Sequence, residues 1–100
     1  MALDIAALYA AIGEQVFRSL KATDFRLVDG VFTFKVARPC SRVHADSIRV
    51  SSLQMGDYNV EFLQQRYEDG LVNPKLVCVH SKRSLSVSEL RSAIFSMVVP

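Results

Sequence analysis

Residues 48–62 constrain the fold of this chain most strongly. On either side of the Gly56-Asp57 pair, apolar residues alternate with polar ones, from Ile48 onwards and again up to Phe62. An alternation with a period of two is typical of a strand that buries one face, and a Gly-Asp pair favours a tight turn. The stretch therefore predicts an antiparallel hairpin with one apolar and one polar face.

The second half of this hairpin also permits a helix. Asp57 could cap such a helix and Gly70 could follow its end, with Val60, Leu63 and Tyr67 on one stripe. The regular alternation around Val60 favours the strand, and the helix over 57–69 stays open as the alternative.

An amphipathic helix is predicted at the start of the chain, with Asp4 as its cap and Leu20 near its end. Its apolar stripe consists of Ile5, Leu8, Tyr9, Ile12, Val16 and Leu20. Gly13 is expected to weaken this helix without interrupting it.

A second hairpin is predicted around Asp29-Gly30, because residues 25–28 and 31–36 are runs of alternating apolar residues on either side of a favourable turn. Pro39 is expected to end the second of these strands, since proline has no N–H for a strand ladder. The polar loop 37–46 that follows is the first candidate for ligand contact.

The remaining elements are a strand and a helix. Residues 75–80 form a strand with two apolar faces, which favours a central position or a face covered by a partner. Residues 81–84 are predicted to be a short basic connector. The spacing of Ser86 and Glu89 matches a capping box, which predicts a helix over 87–98.

These elements predict one α+β domain over residues 1–100, with a four- to five-stranded antiparallel meander. Because both helical stripes need a surface to cover, the N-terminal and C-terminal helices are expected to pack on one face of the sheet. Lys35, Arg49 and Glu61 would lie on the other face.

The composition points to an interaction module. Half of the 100 residues are apolar and the mean hydropathy is +0.20, which is high for a domain with so little interior. We therefore expect a homodimer, or a complex with another protein, and a non-enzymatic role in protein interaction. The candidate partner surface on the broadly apolar C-terminal helix comprises Leu90, Ile94, Phe95, Met97 and Val99.

A nucleic-acid-binding accessory role is the alternative. The net charge of +2 is low for a dedicated DNA-binding domain. A basic patch would form only if the two polar loops were neighbours. Its members would be Arg38, Arg42, His44, Lys82 and Arg83.

The residues with catalytic or metal-binding chemistry are Cys40, His44, Cys78 and His80. In a regular strand Cys78 and His80 would point to the same side, but their spacing matches no zinc motif. Packing is the preferred interpretation, with no catalytic residue, cofactor or metal. Two cysteines are too few for a disulfide framework, and no leader or apolar run of about 20 residues is visible, so a cytoplasmic location is expected.

Overall fold

A computed structural model describes residues 5–54, 57–67, 70 and 73–99. Within these residues the chain forms three α-helices, five β-strands and one 3₁₀ turn. Their bounds are α1 Ile5–Ile12, α2 Glu14–Leu20, β1 Thr23–Val28, β2 Val31–Lys35, the 3₁₀ turn Arg38–Cys40, β3 Ser47–Gln54, β4 Asp57–Arg66, β5 Lys75–Leu85 and α3 Val87–Phe95. The predicted cap Asp4 and the turn residue Gly56 lie outside the described residues.

The five strands form one antiparallel sheet in the order β1-β2-β3-β4-β5. The central hairpin is confirmed, with Ile48 opposite Phe62, and the alternative helix over 57–69 is wrong for the part described. The β1–β2 hairpin is also confirmed. Its turn residues Asp29 and Gly30 have φ angles of 51° and 76°, and two positive φ angles are what a type I′ turn requires.

All three helices pack on one face of the sheet, which we call the helix face, and this confirms the predicted α+β fold. The rings of Phe17 in α2 and Phe34 in β2 lie 5.1 Å apart, edge to face, while α3 contacts β4 and β5. A single hydrophobic core joins the layers. Its largest fully buried side chains are Leu8, Ile12, Val16, Leu20, Phe32, Phe34, Ile48, Val50, Val60, Phe62, Leu90 and Ile94.

The N-terminal helix is divided in two, contrary to the prediction of one continuous helix. Gly13 has φ 95° and ψ 138°, far from helical values. Its own N–H still bonds the Tyr9 carbonyl at 2.9 Å, and its carbonyl accepts the N–H of Val16 at 3.1 Å. Phe17 in α2, which lies outside the predicted stripe, is buried in the core.

Strand β5 is longer than predicted, because residues 81–84 belong to it and are not a connector. Strand β4 supplies pairing partners as far as Tyr58 opposite Leu85. A bulge absorbs the extra residue there: Ser84 has φ 58° and its N–H donates to Asn59 Oδ1 at 3.2 Å. Of the two alternatives predicted for this strand, the central position is wrong, because β5 is an edge strand.

Helix α3 begins as predicted and ends early. The capping box of Ser86 and Glu89 is present. The helix stops at Phe95, three residues before the predicted end, because the chain turns and Val98 forms a bridge with Ser41.

Candidate functional site

Three of the five residues predicted for the partner surface are accessible. Leu90 and Ile94 are fully buried in the chain's own core, so they have no surface to offer a partner. Phe95 and Val99 are 48% and 42% exposed, and Met97 is half-buried. We call Phe95, Met97 and Val99 the C-terminal surface.

Backbone hydrogen bonds from the 3₁₀ turn and the residues just after it hold the C-terminal surface in place. Arg42 N–H donates to the Met97 carbonyl at 2.7 Å, and Val99 N–H donates to the Cys40 carbonyl at 2.9 Å. These bonds fix the backbone on which the apolar side chains stand, so less ordering entropy would be lost on binding there than at a free chain end.

The predicted basic patch is divided between two ends of the sheet. Arg38 reaches the Gln65 carbonyl at 3.2 Å, and Arg42 and His44 lie in the same exposed loop. Lys82 instead lies opposite Val60, so about five residues of β4, or roughly 16 Å, separate it from Arg38. Arg83 lies farther still along β5. Those basic residues therefore do not form one patch.

A bulge at Val79 separates the predicted pair Cys78 and His80. His80 lies opposite Phe62 and Cys78 opposite Leu63, which leaves Val79 without a partner in the ladder. Since directly paired residues share a face, Cys78 lies on the open face of the sheet and His80 on the helix face. The imidazole packs edge-on against Phe62, with centroids 5.5 Å apart.

The four cysteine and histidine residues do not assemble a metal site. Cys40 lies in the 3₁₀ turn and His44 is exposed at φ 55°, while Cys78 and His80 lie on opposite faces. Across residues 5–54, 57–67, 70 and 73–99, no three histidine, cysteine, aspartate or glutamate residues are placed to hold a metal ion. The thiol of Cys78 contacts the His80 carbonyl at 3.4 Å.

The face of the sheet away from the helices, which we call the open face, carries rows of mostly polar side chains. One cross-strand row is Arg26, Thr33, Arg49, Glu61 and Ser81, and the next is Thr23, Lys35, Ser47, Leu63 and Cys78. None of these side chains is aromatic, so the two rows provide no ring on which a nucleic-acid base could stack.

Ion pairs connect neighbouring strands on or beside this face. Arg49 in β3 forms two hydrogen bonds with Glu61 in β4, at 3.1 and 3.0 Å. Lys35 in β2 lies 3.3 Å from Asp24 in β1. Each pair links two adjacent strands. The Arg49 and Glu61 side chains are partly buried, whereas those of Lys35 and Asp24 are more than half exposed.

Asp46 connects the loop after β2 to the sheet. Its carboxylate accepts two bonds from Arg38, at 2.8 and 2.6 Å, and one from the Gln65 N–H at 2.7 Å. The Arg38 side chain and this N–H both stabilise the charged form, so the pKa of Asp46 lies below its usual value. The hydrogen bonds that Arg49 donates to Glu61 stabilise the charged guanidinium, so they raise the pKa of Arg49.

A groove of about 340 Å³ crosses the open face, within the size range of ligand sites. Its wall includes the cations Arg26, Lys35 and Arg49 and the apolar Leu63 and Leu76. Arg26 and Leu76 are not among the site residues predicted from the sequence. The strand alternation places Arg26 on a polar face, but no local pattern shows that four other strands would form a groove beside it.

No protein-family model, curated protein or solved structure matches this chain. In the part of the chain that the structure describes, no helix has the length and apolar character needed to cross a bilayer.

Proposed function

We propose that this chain is a non-enzymatic protein-interaction module that self-associates through the C-terminal surface and acts in the cytoplasm. The observation that carries the proposal is the exposure of Phe95 and Val99, which stand on a hydrogen-bonded backbone next to the core. Covering the exposed half of a phenylalanine contributes about 1 kcal/mol, and a two-fold interface counts each contribution twice.

The distribution of basic side chains supports this role over nucleic-acid binding. Arg38 and Arg49 are already matched by Asp46 and Glu61, and Lys82 lies at the other end of the sheet from Arg38. Phosphate binding depends on cations gathered along one path. Tight, salt-dependent binding of a dT oligonucleotide would reverse this preference.

Light scattering on a size-exclusion column, over a dilution series, tests the proposal. The wild type is expected at twice its 11.2 kDa chain mass at high concentration, and the Phe95→Ser variant at the monomer mass. Val28→Ser is the matched control, because Val28 is 62% exposed on the open face and away from α3. A wild type that stays monomeric at the highest concentration, or a Phe95→Ser variant that dimerises like wild type, would refute the proposal.

A further inference from the structure

The groove on the open face contains one cation whose charge no described residue neutralises. Lys35 is matched by Asp24 and Arg49 by Glu61. Arg26, at the β1 end of the groove, forms no ion pair with any residue in the described ranges. Among the described residues of the groove, Arg26 is therefore placed to hold a negative group by two parallel hydrogen bonds.

The opposite end of the groove is apolar. Leu76 in β5 is 54% exposed, and Leu63 in β4 is buried beneath the same wall. An exposed leucine next to a buried one provides a place where an apolar side chain can be removed from water. Leu76 belongs to the stretch 75–80, whose two apolar faces predict either a central strand or a face covered by a partner.

The distance between the two ends fixes the size of the occupant. Arg26 and Leu76 lie on the two edge strands, four strand spacings apart. They are also displaced along the strands, because Leu76 pairs with Gln65 whereas Arg26 lies in the same cross-strand row as Glu61. The backbones of the two residues are therefore about 20–25 Å apart, a distance that an extended peptide spans in about seven residues.

We infer that the groove binds an extended segment of a partner protein, with a carboxylate at Arg26 and an apolar side chain at Leu76. A nucleic acid fits less well, since it needs several free cations and a stacking surface. The inference does not depend on self-association, because the groove lies on the open face and α3, which carries Phe95, packs on the helix face.

A library of random dodecapeptides displayed on phage and selected on the full chain tests the inference. The enriched peptides should carry Asp or Glu about six or seven positions from a Leu, Ile, Val or Phe. A synthetic, fluorescently labelled peptide of the enriched sequence then measures affinity by anisotropy. Arg26→Gln should weaken its binding about tenfold, the expected size for loss of one charge-assisted contact.

Matched controls separate the groove from general surface effects. Arg83→Gln removes another exposed cation, and Val28→Ser removes another exposed apolar side chain, both outside the groove. Both controls should bind like wild type, while Leu76→Ser should bind more weakly. Equal binding by Arg26→Gln and wild type, the absence of enriched peptides, or tighter Arg26-dependent binding of a dT oligonucleotide would each overturn the inference.

Discussion

Replacement of Gly13 by alanine tests whether α1 and α2 are separate helices, because the two possibilities predict opposite changes in the free energy of unfolding. If the first helix were continuous, alanine would stabilise it by about 0.8–1 kcal/mol, because glycine is the poorer helix former. In the observed structure Gly13 has φ 95° and ψ 138°, a backbone conformation that residues with a Cβ rarely adopt. The substitution should therefore destabilise the fold.

The magnitude follows from the surroundings of Gly13. The heavy atoms nearest to a Cβ at this position belong to the Arg91 side chain, and the closest lies at 3.8 Å, an ordinary van der Waals distance. Steric overlap therefore adds nothing, and the cost is backbone strain of about 1–3 kcal/mol. For a 100-residue domain this corresponds to a melting temperature lowered by at least about 4 °C.

Thermal and urea unfolding of Gly13→Ala, followed by circular dichroism, measure this cost. The double variant Gly13→Ala/Arg91→Ala is the control, since trimming a side chain that does not clash should restore no stability. A Gly13→Ala variant with a melting temperature above that of wild type would show that α1 and α2 form one helix and that the argument from φ is incorrect.

Two further predictions concern hydrogen bonds outside the core. Asp46→Asn should lower stability at pH 7 by about 1 kcal/mol. Because Arg38 lowers the pKa of Asp46 in the folded state, the stabilisation is complete above the unfolded pKa of about 3.9 and is lost as the pH falls through the folded value. Urea midpoints from pH 7 to pH 2 should therefore converge for the two proteins, and a constant difference would contradict this. Ser86→Ala removes the hydroxyl of the capping box and should cost about 1 kcal/mol. Ser88→Ala removes a hydroxyl that lies 3.0 Å from that of Ser86 and belongs to no cap, so it should cost less by the same urea measurement.

The hairpins were predictable because their signals are local. Asp29 and Gly30 form the turn that their residue types favour, and the alternation through Ile48 and Phe62 places the core face of the central hairpin correctly. The capping box at Ser86 is another local signal, since both its partners lie within one helical turn.

The errors arise where a distant segment decides the local structure. Residues 81–84 are polar enough for a loop, yet they extend β5 because β4 provides a ladder to pair with. The bulge at Val79 places Cys78 and His80 on opposite faces, and no pattern within β5 indicates this shift. The stripe of α3 predicts apolar contact without indicating whether Leu90 faces its own sheet or a second molecule.

The order of strands along the chain also bears on how the molecule folds. Every strand pairs with its neighbour in sequence, so the sheet can grow one hairpin at a time, and each step closes only a short loop. The packing of α1 against α3 is different, because it joins the two ends of the chain. It is the step with the largest loop-closure entropy, so contacts between these helices are expected to form after the transition state. They should therefore affect the rate of unfolding more than the rate of folding.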